Sequence, residues 1–176
     1  KRDLYRRKVK KWLRDGVLEL MNECRERGVR LGIATTTSRS NVDALLRMHL
    51  GARWADRFAA VVCGEDVQQK KPDPEVYVKA LQTLALGPLE AVAIEDAPGG
   101  VAAARATDIL VVVTRSAYFA RAPIDGAVAV GPGLHTRQGW RPGLLTTPGE
   151  SRHVDLDDIE GWCAQMDSIS DYPADA

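Results

Sequence analysis

Helical and strand patterns alternate along most of this 176-residue chain, and that alternation limits the possible folds more than any other feature. Apolar residues recur at helical spacing from Val17 to Cys24, and Gly28 follows where that helix is expected to end. Apolar runs too short for helices predict strands at residues 29–35, 58–63, 91–94 and 109–113. Because helices separate the strands, and because no sequence repeat is present, we predict a doubly wound, Rossmann-like α/β fold with a parallel sheet and helical crossovers.

The composition agrees with one globular domain that has a sizeable apolar core. Apolar residues make up 45% of the chain, and 24 basic side chains balance 24 acidic ones. No apolar run approaches the roughly 18 residues that a membrane helix requires. The three cysteines lie far apart without a Cys-x-x-Cys pair, which argues against a disulfide framework and a zinc site. We therefore expect a protein of the cytoplasm or an organelle stroma that is not secreted and binds no membrane, with a monomer favoured.

Two segments stand outside the alternation. Residues 131–149 contain five glycines and three prolines, so we predict an irregular surface loop without a sheet strand. Residues 167–176 have few apolar anchors and are expected to form a loosely ordered tail. The acidic segment 155–157 is expected to begin a helix that carries Ile159 and Trp162.

Three positions next to predicted strands and helices carry chemically useful side chains. Ligands of open parallel sheets bind at the carboxyl ends of the strands. The four hydroxyls of residues 35–38 follow the first strand and could bind a phosphate, although Ser and Thr are also common helix caps. Lys71 could place a charge in the same crevice or lie in a solvated turn. Glu95 and Asp96 follow the third strand and suit a hard cation such as Mg²⁺, or simply the start of a helix.

In this order, the hydroxyls, the lysine and the acid pair resemble motifs II, III and IV of the haloacid dehalogenase (HAD) superfamily. The resemblance rests on residues 28–38, 71–77, 94–96 with Gly100, and 113–116, and it covers roughly residues 14–130. The pattern is most similar to the CbbY-like branch, which is related to beta-phosphoglucomutase and includes sugar-bisphosphate phosphatases. The resemblance implies an HAD-type core and a Mg²⁺-dependent phosphatase of a small sugar phosphate, with xylulose 1,5-bisphosphate as the substrate that the branch suggests.

The same resemblance implies roles for individual residues. Thr35 would hold the transferring phosphoryl group. Lys71, which directly precedes a proline as the family lysine does, would neutralise charge between the phosphate and a nucleophilic carboxylate. Asp96 and Glu95 would hold Mg²⁺, with Asp96 the firmer assignment. The other residues expected to line the phosphate or substrate pocket are Thr36, Thr37, Ser38 and Asn41.

The superfamily carries its nucleophile and its acid/base in an earlier strand, in a run of the form Asp-x-Asp-Gly-Thr, and no such run precedes Thr35. We therefore expect an N-terminally truncated piece that lacks the first strand, both catalytic aspartates and most of the cap, and that is inactive by itself. Residues 1–15 are interpreted as the last cap helix and a hinge, in preference to a basic nucleic-acid contact, and residues 16–166 as the HAD core domain. A non-catalytic phosphate-binding or regulatory domain and a beta-phosphoglucomutase-type mutase stay open as alternatives.

Overall fold

The computed structural model describes residues 13–144 and 152–170, in which helices and strands alternate as predicted up to the fourth strand. Single 3₁₀ turns lie in three of the connections, at Trp54–Arg57, Pro88–Glu90 and Ala117–Phe119. In chain order the helices and strands are α1 (Val17–Glu26), β1 (Gly32–Ala34), α2 (Arg39–Leu50), β2 (Ala60–Val62), α3 (Glu75–Leu84), β3 (Val92–Glu95), α4 (Pro98–Arg105), β4 (Leu110–Thr114), β5 (Ala129–Gly131) and α5 (Leu156–Ser170).

The five short strands form two parallel sheets. β1 pairs with β2, so that Gly32 lies opposite Ala60. In the second sheet β3 pairs with β4, and β4 pairs with β5. Within the described residues no strand pairing joins β1 to β3. The predicted α/β class with parallel strands and helical crossovers is confirmed. In the described part of the chain the strands form two separate sheets, because β1 and β3 are not hydrogen-bonded to each other.

The division is a gap that lies between the edges of β1 and β3. At the carboxyl end of this gap, Lys71 Nζ lies 2.9 Å from the Ala34 carbonyl oxygen and 2.5 Å from Glu95 Oε1, so it contacts the last residues of both strands. A cavity of about 340 Å³ separates the two strands and is lined mostly by apolar side chains from β1, β3, α1, α3 and α5. Val92 and Ile94 of β3 line the cavity and stay 38% and 40% exposed. The gap therefore has the position and the lining that a further sheet strand would need.

Helices cover both faces of the second sheet, which explains the uninterrupted valines of β4. Val111 and Val113 pack on one face with Val76 of α3, whereas Val112 packs on the other face with Trp162 of α5. All three valines are fully buried. A parallel strand that is buried on both faces shows an apolar run instead of an alternation of polar and apolar residues.

The prediction that residues 131–149 contain no sheet strand was wrong for the described part of that segment. Gly131 is the last residue of β5, and Val130 makes a further antiparallel bridge to Arg141. Glycine is required at 131 because a Cβ there would lie 2.1 Å from the Trp140 ring. The Trp140 side chain, which belongs to the loop itself, packs against the end of β5. The Gly and Pro content of the segment could not predict this contact.

The two ends of the chain are described only in part. α5 begins with an acidic turn, as predicted, and Asp155 Oδ1 accepts a hydrogen bond from the Asp158 amide at 3.0 Å. The helix includes residues 167–170, which were expected to lie in the tail. The predictions for residues 1–12 and 171–176 fall outside the described residues. No helix in the described ranges is long and apolar enough to cross a membrane.

Candidate functional site

The predicted site segments meet at the carboxyl end of the gap between β1 and β3. The hydroxyl segment 35–38 directly follows β1, and Asp96 directly follows β3, whose last residue is Glu95. The loop before α3 brings in Lys71. Parallel strands end at one edge of a sheet, which explains why side chains so far apart along the chain converge.

Lys71, Tyr77 and Glu95 form a compact and mostly buried group. Lys71 Nζ donates to Glu95 Oε1 at 2.5 Å, and the Tyr77 hydroxyl donates to the same oxygen. The side chains of Lys71 and Glu95 are only 16% and 10% exposed. The Lys71 ammonium also lies 4.7 Å from the centre of the Tyr77 ring. Burial and the neighbouring Glu95 carboxylate raise the pKa of Tyr77, so its hydroxyl stays protonated and can donate.

Helix α4 limits the position of the Glu95 carboxylate from the other side. A Cβ built on Gly100 would lie 2.1 Å from Glu95 Oε2 and 2.3 Å from its Cδ. Gly100 is buried in the first turn of α4. The requirement for glycine is steric, because the carboxylate occupies the space that any larger residue would need. Two donors on Oε1 and a close backbone beside Oε2 together define where this carboxylate lies.

Asp96 is better placed than Glu95 to hold a cation. Among the described residues, none forms a hydrogen bond or an ion pair with the Asp96 carboxylate, whereas Glu95 Oε1 is shared by Lys71 and Tyr77. The described ranges hold no group of three or more His, Cys, Asp or Glu side chains that could bind a metal. Mg²⁺ is usually bound by one or two carboxylates and completes its shell with waters and substrate phosphate oxygens. The free carboxylate of Asp96 fits an open site of that kind better than the carboxylate of Glu95 does.

The hydroxyl segment folds into the start of α2. Thr35 Oγ1 accepts a hydrogen bond from the Thr37 amide at 3.1 Å. Ser38 is the N-cap of α2, and its Oγ accepts from the Asn41 amide at 3.4 Å. Ser38 is therefore a helix cap, as the alternative interpretation of the hydroxyl segment predicted, and its oxygen is bonded within the protein. Thr35 and Thr36 directly follow β1, and Thr35 Oγ1 is likewise bonded to a backbone amide of the segment.

A loop that follows β2 supports the hydroxyl segment, and the sequence patterns did not single it out. A Cβ on Gly64 would lie 2.5 Å from the Thr36 carbonyl oxygen, so glycine allows the two loops to approach closely. The Arg39 amide donates to Glu65 at 2.9 Å, and the Arg39 guanidinium donates to Asp66 at 2.6 Å. A hydrogen bond from a backbone amide of this loop, together with the Arg39 charge, holds the pKa of Asp66 below its ordinary value. The available signal was the position of Gly64 just after a predicted strand.

Arg14, in the predicted hinge, ties the chain before α1 to the same edge of the sheet. Its guanidinium donates to the carbonyl and hydroxyl oxygens of Thr114 at 2.7 and 2.6 Å. It also donates to the carbonyl oxygens of Arg115 at 2.6 Å and Pro132 at 3.1 Å. Gly16 has a φ of +89°, and a Cβ there would overlap the backbone of the loop after β5. These contacts hold residues 14–16 against the ends of β4 and β5.

Comparisons with known proteins identify the family of the chain. Residues 4–108 match a family model described as "Hydrolase: haloacid dehalogenase-like hydrolase". The chain is 41% identical to the plasmid protein CbbY of Cupriavidus necator over 151 residues, which are 85% of this chain and 59% of that protein. It is 47% identical over 103 residues to protein CbbY of Rhodobacter capsulatus, covering 58% of this chain and 45% of that protein. The chain thus spans about half the length of the curated relatives it matches.

Solved structures give the same result for the fold. A mutant of CbbY from Rhodobacter sphaeroides, in complex with xylulose-(1,5)bisphosphate, matches with a TM-score of 0.62 and 38% identity, covering 65% of this chain and 51% of that chain. A beta-phosphoglucomutase from Clostridium difficile matches with a TM-score of 0.63 over 88% of this chain and 57% of that chain. At 16% identity, the second likeness shows a shared fold alone.

Proposed function

The chain belongs to the haloacid dehalogenase-like hydrolases, and on this basis we propose that the complete protein is a Mg²⁺-dependent phosphatase of a small sugar phosphate. The observation that carries the proposal is the Lys71 ammonium, which Glu95 and the carbonyl oxygen at the end of β1 hold at the edge of the sheet where Asp96 follows β3. Phosphoryl transfer needs fixed positive charge to offset the charge on the phosphoryl oxygens. Lys71 would supply one such charge, and a cation held by the carboxylate of Asp96 would supply a second.

Each site residue has a defined part in the proposal. Thr35 uses its hydroxyl proton to hold a phosphoryl oxygen, while its oxygen accepts from the Thr37 amide. Lys71 offsets negative charge on the phosphoryl group and on the attacking carboxylate. Asp96 would be the principal ligand of Mg²⁺, with Glu95 beside it, and the ion would neutralise charge on the phosphate oxygens. The residues that would line the phosphate side of the pocket are Thr36, Thr37, Ser38 and Asn41, and Ser38 would act there as the N-cap of α2.

The nucleophile would come from a strand that fills the gap between β1 and β3. The resemblance implies an aspartate at the carboxyl end of that strand, and such an end would lie beside Lys71. The aspartate attacks phosphorus, the bond to the sugar oxygen breaks, and water then hydrolyses the aspartyl-phosphate. We expect no turnover by the 176-residue chain alone, because no Asp-x-Asp-Gly-Thr run precedes Thr35.

Xylulose 1,5-bisphosphate is the first substrate to test. The choice is supported by the CbbY of Rhodobacter sphaeroides, which was crystallised with this compound and is 38% identical over 65% of the chain. The likeness to beta-phosphoglucomutase does not favour a mutase, since at 16% identity it concerns the fold only.

The experiment measures phosphate release by the complete protein from xylulose 1,5-bisphosphate and related sugar phosphates, with and without Mg²⁺. Lys71→Ala and Asp96→Asn are each expected to lower kcat by about 10²–10³-fold, as is typical when one charge-stabilising group is lost. Lys70→Ala is the matched control, because Lys70 is the exposed neighbour of Lys71 and should be dispensable.

Full activity in both site variants would show that the site assignment is wrong. A complete protein that binds sugar phosphates without releasing phosphate would contradict the proposed activity and favour the non-catalytic alternative.

A further inference from the structure

We propose that Tyr77 is a positioning residue of the candidate site, which holds the Lys71 ammonium and the Glu95 carboxylate where they act. The inference rests on the proposed function and extends it to a residue outside the expected site. Tyr77 lies in the segment 71–77 that carries part of the family resemblance, but the sequence assigned it no role. The structure adds that its hydroxyl reaches the end of β3 and that its ring lies beside the Lys71 ammonium.

The contact with Glu95 explains why a tyrosine, and not a phenylalanine, occupies position 77. Tyr77 is 7% exposed, and a buried hydroxyl without a hydrogen-bond partner lowers stability. A phenyl ring would fill nearly the same volume without that cost. The hydroxyl donates to Glu95 Oε1, the oxygen that also accepts from Lys71. Its function is therefore to fix one carboxylate oxygen at the point where Lys71 binds it.

The Lys71 ammonium has three N–H donors, and three acceptors surround it. They are Glu95 Oε1 at 2.5 Å, the Ala34 carbonyl oxygen at 2.9 Å and the Tyr77 hydroxyl oxygen at 3.4 Å. The contact with Tyr77 is the longest, so it is the one most easily given up to an incoming phosphoryl oxygen. The Tyr77 hydroxyl still fixes Glu95 Oε1 after that contact is given up, so the carboxylate continues to hold the ammonium while substrate is bound.

A first experiment measures how firmly the Lys71 ammonium is held, from the exchange rate of its protons with water, and needs no activity assay. In the ¹⁵N-labelled complete protein, we expect the Lys71 ammonium protons to exchange slowly with water. Tyr77→Phe removes one acceptor and should speed this exchange about tenfold, the effect of one hydrogen bond to a charged group. Tyr118→Phe is the matched control, because Tyr118 is 94% exposed and lies on a different loop. Unchanged Lys71 exchange in Tyr77→Phe would overturn the proposal, and so would loss of the folded amide spectrum, which would indicate a merely structural role.

A second experiment measures the kinetics of the complete protein. We expect Tyr77→Phe to lower kcat about tenfold at an unchanged KM for the sugar phosphate, because a positioning defect acts on the chemical step. A raised KM at unchanged kcat, or unchanged kinetics, would overturn the positioning role. If wild-type protein released no phosphate, the proposed function would fail, and the exchange rate of the Lys71 ammonium would still decide whether Tyr77 holds it.

Discussion

Replacing Gly100 by alanine tests whether the Glu95 carboxylate lies against α4. Gly99 and Gly100 are neighbours in the first turn of this helix, yet their surroundings differ. A Cβ on Gly99 would meet no atom closer than the Pro72 nitrogen at 4.0 Å, whereas a Cβ on Gly100 would lie 2.1 Å from Glu95 Oε2. Both substitutions add the same methyl group, but only the one at 100 must displace the carboxylate.

The expected free energies of unfolding follow from these distances. Alanine is favoured over glycine in a helix by roughly 0.5–1 kcal/mol, and this gain applies to both positions. Displacement of Glu95 weakens its hydrogen bonds from Lys71 and Tyr77, each worth about 1.5–3 kcal/mol for a charged group. Glu95 is 10% exposed, so water replaces those bonds only in part. We expect Gly99→Ala to stabilise the chain by about 0.5 kcal/mol and Gly100→Ala to destabilise it by about 1–3 kcal/mol.

The assay is urea unfolding at neutral pH, followed by tryptophan fluorescence and circular dichroism. Gly100→Ala should unfold at lower urea than wild type, and Gly99→Ala at the same concentration or a higher one. In a Glu95→Ala background the penalty at 100 should disappear, because the displaced group is gone. Equal stabilisation by both glycine substitutions in the wild-type background would refute the placement of Glu95 against Gly100.

Two other substitutions test contacts away from Lys71. Gly131→Ala should lower the free energy of unfolding by about 1–3 kcal/mol, because its methyl group would lie 2.1 Å from the Trp140 ring. Urea unfolding measures this change, and Gly143→Ala is the control, because a Cβ at 143 would meet nothing within 4 Å. Equal urea midpoints for the two variants would contradict the packing of Trp140 against Gly131. Asp66→Asn should reduce the loss of stability on acidification, because the Cys63 amide lowers the pKa of Asp66 in the folded chain. That contribution is complete above the unfolded pKa of about 3.9 and disappears as the pH falls through the lower folded pKa. Unfolding free energies measured between about pH 2 and 6 test this, and parallel curves for wild type and variant would count against it.

The order of helices and parallel strands was predictable from the sequence, because it depends on local patterns. The apolar run of β4 and the helical spacing of α1 both reflect burial that repeats along a few neighbouring residues. The position of the site was predictable for a related reason. Side chains that follow parallel strands must meet at one edge of the sheet, so residues 35–38, Lys71 and the acid pair 95–96 could be expected together.

The roles of single atoms at that edge could not be predicted in the same way. Ser38 caps α2, and Glu95 Oε1 is shared by Lys71 and Tyr77. A spacing along the chain says which residues are near one another, but not which hydrogen-bond partner each oxygen finds. The inference that Asp96 suits a cation better than Glu95 therefore depends on the contacts of each carboxylate.

The sequence by itself determined the α/β class, the chain order of the site residues and the expectation that a strand is absent from the sheet. Only the tertiary structure decided that a gap lies between β1 and β3, that Lys71 spans its carboxyl end and that Gly100 and Gly131 face Glu95 and Trp140. The physical reason is that periodicity and capping act over a few residues. Close approaches between distant elements depend instead on how whole helices and strands pack.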